Sequence, residues 1–321
     1  MSFIGSDERL ILMDSPTYEG ARLPEEDLKK LVDAGIRTGM IFYVNWNVIE
    51  PTQGTRDWSY FDELITTMNG AGMKAILQVC TRYPEWMPSE WMLRDTFQEH
   101  RVPSFWNPDA WAYSLDFIKE AQARYNIPGK SMTMNSWLSD GETLFPNSVC
   151  VYDAYAQRAF AEQYERSPEM AMDVQVDEFL KAAQIKMMME LQAIHIDNEN
   201  REIWHVLHPA LAGYHGNGCQ YIEDYLIAER AAWPDAVINH LYCTWVQWGG
   251  DWPLMESWRD KYGEQIWGGS EYAENVVSTT RVAIERGIRG LLIGPCHSFT
   301  GHKRIEDWMC FNIEESLKLW P

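Results

Sequence analysis

Short apolar runs alternate along the chain with longer stretches whose apolar residues recur at helical spacing, the pattern of a parallel sheet covered by helices. Arg9–Met13 (RLILM) reads as a first strand that ends at Asp14-Ser15-Pro16. Leu23-Pro24-Glu25-Glu26 opens a helix with acids at its dipole-positive end, and Leu28, Leu31 and Val32 form its apolar face up to Gly35. Met40–Val44 is a second strand, Phe61–Met68 a helix that stops near Gly70 and Gly72, and Lys74–Val79 a third strand. A long Trp-rich loop leads to a helix over Trp111–Tyr125 and a fourth strand, Ser131–Trp137. Helices are expected at Gln175–Ile194, Gln220–Ala231, Asn275–Arg286 and Ile313–Leu319, and strands at Glu202–Leu207, Ala236–Cys243, Gln265–Ser270 and Gly290–Ile293.

Eight strands with intervening helices predict an α/β fold of the (β/α)₈ TIM-barrel type, as one domain over residues 1–321. An open doubly wound sheet would bring a Gly-rich phosphate turn after its first strand, and here that place holds Asp14-Ser15-Pro16-Thr17-Tyr18-Glu19. With no P-loop and no G-x-G-x-x-G, no cofactor is expected.

Composition narrows the function classes. Lys and Arg number 27 against 47 Asp and Glu, a net charge of −20, which argues against nucleic acid as the main partner. Neutral sugars are indifferent to such a field, a cationic polymer would be attracted, and solubility is the plainer use of the charge. No run approaches the roughly 18 apolar residues of a membrane span, and the first residues lack a basic segment followed by an apolar one, so neither a membrane nor secretion is expected. Six scattered cysteines without C-x-x-C suit reduced thiols in a cytoplasmic protein. Of the 16 tryptophans, Trp86, Trp106, Trp233 and Trp252 stand beside proline or polar loop residues, where core packing alone explains them poorly.

In a barrel the chemistry sits at the C-terminal ends of the strands. Those positions carry Asp14, Tyr18, Asn45, Trp46, Glu50, Arg82, Trp86, Asp140, Glu142, His208, Tyr242, Trp245, Glu271 and His297. Carboxylates and aromatics dominate, which suits sugars: indoles stack on the C–H faces of the rings, and acids bond hydroxyls and move protons. Cleaving a glycosidic bond takes two carboxyl groups. Glu142 follows the fourth expected strand and Glu271 ends the seventh, so in a closed barrel the two can face each other across a sugar.

The run Asn45-Trp46-Asn47-Val48-Ile49-Glu50-Pro51-Thr52-Gln53-Gly54, followed by Trp58, Phe61 and Asp62, resembles the second-strand region of clan A glycoside hydrolases, and is most similar to the family 42 β-galactosidases. Tyr83-Pro84-Glu85-Trp86 extends the resemblance, as does Trp137-x-x-Asp140-Gly141-Glu142, where the family has Trp-x-x-Asp-Asn-Glu. The resemblance covers residues 38–145. It implies a retaining hydrolase in which Glu142 is the acid/base, Glu271 the nucleophile and Tyr242 its hydrogen-bond partner, with a carbohydrate as the substrate. It also implies that Glu50-Pro51 shapes a loop. Gly141 departs from the family, whose Asn there contacts the sugar 2-hydroxyl, so galactose specificity is open.

Further substrate contacts are expected from Asp14, Asn45, Trp46, Arg82, Trp86, Asp140, His208, Trp245 and His297. Glu274, three residues beyond Glu271, competes for the nucleophile's place, and Tyr242 serves equally well as a packing residue. His205-x-x-His208 invites a metal, but on a strand the two point to opposite faces, so no metal is expected. Met187-Met188-Met189 reads as core packing. The alternatives are a metal-dependent barrel hydrolase using His208 or His297, and a carbohydrate-binding barrel without catalysis. The oligomeric state is open.

Overall fold

The computed structural model describes residues 3–14, 22–80, 84–94, 99–134, 151–168, 173–194, 202–207, 227, 230–231, 233–245, 252–263, 265–270, 272–294 and 304–321. In chain order these form β1 (Leu10–Asp14), α1 (Glu25–Asp33), β2 (Thr38–Asn45), α2 (Trp46–Ile49), α3 (Ser59–Gly70), β3 (Lys74–Cys80), β4 (Met92–Arg94), β5 (Glu99–Pro103), α4 (Pro108–Tyr125) and β6 (Ser131–Thr133). They continue with α5 (Ala154–Tyr164), α6 (Val174–Ile194), β7 (Glu202–Leu207), β8 (Val237–Trp245), α7 (Trp252–Tyr262), β9 (Gln265–Ser270), α8 (Val276–Glu285), β10 (Gly290–Ile293) and α9 (Asp307–Leu317).

Eight strands make one parallel sheet in the order β6-β3-β2-β1-β10-β9-β8-β7. The first strand pairs with the last, Leu10 opposite Leu291, so the order is cyclic in the chain, with β6 and β7, consecutive barrel strands in the sequence, at the two ends of the sheet. Eight parallel strands in this cyclic order, with helices between them, have the topology of a (β/α)₈ barrel.

Alternation along the strands sorts their side chains into two cores. Ile11, Met13, Met40, Ile76, Met132, Met134, Trp204, Trp267 and Leu292 pack together with Phe3 and Ile4 and fill the lumen. Leu10, Leu12, Ile41, Ala75, Leu77, Leu291 and Ile293 belong instead to the larger cluster shared with the helices, among them Leu28 and Leu31 of α1 and Phe61 and Leu64 of α3. Strands such as β1, β2, β3 and β10 thus bury both faces, which is why their sequences are continuous apolar runs.

The N-terminal end of the barrel is sealed by residues 3–9. The buried Glu202 carboxylate accepts from the backbone N–H of Phe3 (2.6 Å) and of Ile4 (3.2 Å), from Trp204 Nε1 (3.0 Å) and from Asn239 Nδ2 (3.1 Å). Asn239 Oδ1 accepts in turn from Trp267 Nε1 at 2.9 Å. Glu8 takes a bond from Thr38 Oγ1 (2.7 Å) and an ion pair from Lys74 (2.6 Å), and Lys74 also donates to the Phe3 carbonyl.

Some expected elements differ. The hairpin β4–β5 and helices α5 and α7 stand where only loop is expected: strands of three and five residues are too short to alternate visibly, and α5 buries only Ala156 and Phe160. The last helix begins at Asp307 rather than Ile313, because Met309 as well as Ile313 lies on its buried face. The expected strand Ser131–Trp137 is described to Thr133, and the expected helix Gln220–Ala231 falls almost wholly outside the described residues.

Candidate active site

All pairings in the barrel are parallel, so the eight strands end at one mouth. Asp14 ends β1, while Tyr242 lies in the second half of β8 and Trp245 ends it, paired in register with Leu207 and Gly269. Arg82, Asp140, Glu142, His208, Glu271 and His297 lie outside the described residues, as does Tyr18. Their flanking strands are described: Glu142 follows β6 in the chain, and Glu271 directly follows Ser270, the end of β9. Glu274, the alternative to Glu271, is described in a short 3-10 turn, Ala273–Asn275.

Among the described residues, two register irregularities occur in the barrel, and both lie toward the mouth. Between Ile41 and Val44, β2 spends three steps against two from Leu77 to Val79 on β3; between Leu241 and Trp245, β8 spends four against two on β9. Extra residues of this kind bend a strand and re-aim the side chains beyond them. On β2 the result is visible. Val44 joins the helix-facing core, and by alternation Asn45 takes the opposite, lumen-facing side. Asn45 is only 6% exposed, yet its amide oxygen has no hydrogen-bond partner among the described residues. A buried acceptor left unpaired costs free energy, on the order of 1–3 kcal/mol, unless a ligand or water donates to it.

The neighbouring loop is organised by Glu50. Its side chain is fully enclosed and accepts four hydrogen bonds: from Trp46 Nε1 (2.7 Å), the Gly54 backbone N–H (2.7 Å), Arg56 Nε (2.9 Å) and the Tyr113 hydroxyl (2.6 Å). Its backbone carbonyl accepts from Trp86 Nε1 at 2.8 Å. Burial pushes the Glu50 carboxyl up, but the bonds from Tyr113, Trp46, Arg56 and Gly54 outweigh it and hold the group below the ordinary carboxylate range. Arg56 also reaches Glu120 (2.5 Å) and Asp116 (2.9 Å), and Glu120 accepts from Trp58 Nε1 at 2.6 Å. Trp46 and Trp58 stack on Phe117, with centroids 4.7 and 5.3 Å away.

This corrects one expectation. Trp46, expected to line the sugar site, is wholly enclosed; its ring stacks on Phe117 and Tyr113 and its N–H is taken by Glu50. The cause is local: α2 begins at Trp46, and one turn puts residues 46 and 50 together. Trp86 is half-buried, edge-on to Tyr113 with centroids 5.4 Å apart. Arg56, Tyr113 and Glu120 are the partners that sequence reasoning missed. The i, i+4 spacing of Tyr113 and Phe117 on α4 was the available signal.

Among the described residues no group of three or more His, Cys, Asp or Glu is arranged to hold a metal ion, and no helix is long and apolar enough to cross a membrane.

A family model described as β-galactosidase, glycoside hydrolase family 42, matches residues 16–101, the stretch that contains the Glu50 loop and Trp86. A β-galactosidase of Halorubrum lacusprofundi, Bga, is 35% identical over 69 residues, which is 22% of this chain and 9% of that protein. A β-galactosidase of Thermus thermophilus is 32% identical over 73 residues, 20% of this chain and 11% of that protein. The alignments therefore span about a tenth of the curated relatives. In fold, the catalytic domain of β-amylase from Paenibacillus polymyxa superposes with a TM-score of 0.63 at 12% identity, covering 99% of this chain and 100% of that one. The polyextremophilic β-galactosidase of Halorubrum lacusprofundi gives 0.56 at 16% identity, covering 97% of this chain and 58% of that one. The chain thus has the barrel fold of these glycoside hydrolases, and over residues 16–101 its sequence is similar to the family 42 β-galactosidases.

Proposed function

We propose that the chain is a retaining, β-galactosidase-like glycoside hydrolase of one barrel domain that cleaves a β-linked sugar with Glu142 and Glu271. The observation that carries this reading is the strand order. β6 and β9, the strands that lead into the two acids, run parallel and end at one mouth without being neighbours. Along the sheet β3, β2, β1 and β10 separate them, and closure of the barrel between β6 and β7 would leave β7 and β8 between them on the other side. Acids projecting from those ends would flank a bound sugar, and the similarity over residues 16–101 supports the substrate class.

In the first step the Glu271 carboxylate attacks the anomeric carbon while protonated Glu142 gives its proton to the departing oxygen. This leaves an ester between the sugar and Glu271. Glu142, now ionised, takes a proton from water; the hydroxide equivalent attacks the same carbon, and Glu271 leaves as carboxylate. Two inversions return the β configuration. Asn45 would accept from a sugar hydroxyl, which gives its buried oxygen, unpaired among the described residues, a donor. The reading keeps Trp86, Asp14, Arg82, Asp140, His208, Tyr242, Trp245 and His297 as further contacts. It uses neither metal nor cofactor, and the scattered cysteines fit a reducing compartment such as the cytoplasm.

The test is hydrolysis of a panel of aryl β-glycosides by wild type, Glu142→Gln and Glu271→Gln. Wild type should turn over at least the β-galactoside, and each variant should lose about 10²–10⁴-fold or more in kcat. Full activity in either variant would remove that residue from the mechanism, and Glu274→Gln serves as the control for the alternative nucleophile.

A further inference from the structure

The loop that follows β2 is folded around one side chain. Gly54 sits at φ +76°, a conformation other residues rarely adopt, and turns its N–H to Glu50 Oε1 at 2.7 Å. Asp57 N–H returns to the Ile49 carbonyl at 2.8 Å, so residues 50–56 form a short loop pinned at its base. Trp86, from the segment after β3, is gripped at two places. Its indole N–H is held by the Glu50 carbonyl, and its ring rests edge-on against Tyr113, whose hydroxyl is held by the Glu50 carboxylate. Both contacts therefore depend on the placement of Glu50. Trp86 stays partly exposed in the segment that follows β3, as does Tyr113, while Trp46, Trp58 and Phe117 beside them are closed off from solvent. A rigid, half-exposed indole presents a flat apolar face at little entropic cost, which is what a pyranose C–H face stacks on.

We infer that Trp86 is a sugar-stacking platform and that Glu50 is the residue that positions it, a proposal that rests on the glycosidase reading above. Glu50 does not touch the substrate. It acts through Trp86, and so its effect should appear in binding and vanish once the platform is gone.

The experiment is a double-mutant cycle on Glu50→Gln and Trp86→Ala, with Trp86→Phe as a further variant. For each, kcat and KM on the best aryl β-glycoside are measured, the affinity for the parent sugar by calorimetry, and thermal unfolding to fix an assay temperature at which all are folded. Trp86→Ala should raise KM and weaken sugar affinity about tenfold while leaving kcat within a few-fold, the mark of lost uniform binding. Glu50→Gln alone should raise KM several-fold, but in the Trp86→Ala background it should change KM by no more than about twofold. If Glu50→Gln does not fold, Trp86→Phe carries the test: it keeps a ring and removes the N–H, and about a threefold rise in KM is expected. Multiplying effects in the double variant, or an unchanged KM in Trp86→Ala or Trp86→Phe, would overturn the proposal while the hydrolase reading stood. A wild type that neither hydrolyses nor binds any sugar of the panel would overturn both.

Discussion

A carboxylate with no exposure and four donors is a pH-dependent strut. The folded-state pKa of Glu50 lies below its ordinary value, so the group binds a proton less readily folded than unfolded. Its contribution is therefore fully present above about pH 4.3, the usual glutamate value, and is lost as pH falls through the lower folded value. Urea unfolding followed from pH 7 to pH 3 should show Glu50→Gln less stable at neutral pH by about 3–5 kcal/mol, with a smaller loss on acidification than wild type. Parallel curves for the two proteins would contradict this. Asn45 should behave in the opposite way. Its amide oxygen has no partner to lose among the described residues, so Asn45→Ala should cost under about 1 kcal/mol of stability. It should nevertheless lower kcat/KM by roughly tenfold, through the lost sugar hydroxyl contact. A large fall in melting temperature with unchanged kinetics would assign Asn45 to the scaffold.

Among the elements, β10 shows how closely the lumen is filled. A Cβ on Gly290 would lie 2.3 Å from the Trp267 ring and 2.5 Å from the Arg9 carbonyl, while Trp267 itself packs 5.2 Å from Trp204. Gly290→Ala should therefore destabilise by about 1–3 kcal/mol or more, and a smaller partner in Trp267→Leu/Gly290→Ala should recover part of the loss. Unchanged stability in Gly290→Ala would mean that the backbone there gives way. The strands themselves were legible in the sequence: Lys74–Val79, Glu202–Leu207, Gln265–Ser270 and Gly290–Ile293 announce themselves as apolar runs because both faces of a barrel strand are buried. The extra residues in β2 and β8 were not, since a bulge leaves the composition of a strand unaltered and shows only in its pairing. The Glu50 cluster was half legible. Its Trp46, Glu50 and Trp58 carried the family resemblance, but resemblance does not reveal that these residues are a scaffold, and the spacing of Tyr113 and Phe117 marks a helix face without showing that it packs on a loop some sixty residues earlier.

For the molecule as a whole, the barrel has two ends with different tasks. The N-terminal end is closed by Phe3 and Ile4 over Glu202, with Glu8, Thr38 and Lys74 tying the segment down. Replacing Glu202 by Ala should leave the Phe3 and Ile4 N–H groups, Trp204 and Asn239 without their acceptor, and cost several kcal/mol without altering KM. A changed KM with unchanged stability would place Glu202 in the substrate path instead. At the mouth, the bulged end of β8 lies beside β9, which leads into Glu271, and the half-buried Trp86 follows β3, which lies beside β6, the strand before Glu142; the bulged end of β2, with an Asn45 oxygen unpaired among the described residues, is one strand further on. The two-acid mechanism is the central claim, and it is tested most directly by the separation of the Glu142 and Glu271 carboxyl groups in a crystal structure with sugar bound. Retention predicts about 5–5.5 Å, with the anomeric carbon between them. A separation of about 6.5–9.5 Å would point to inversion, and acids turned away from the sugar would contradict the mechanism outright.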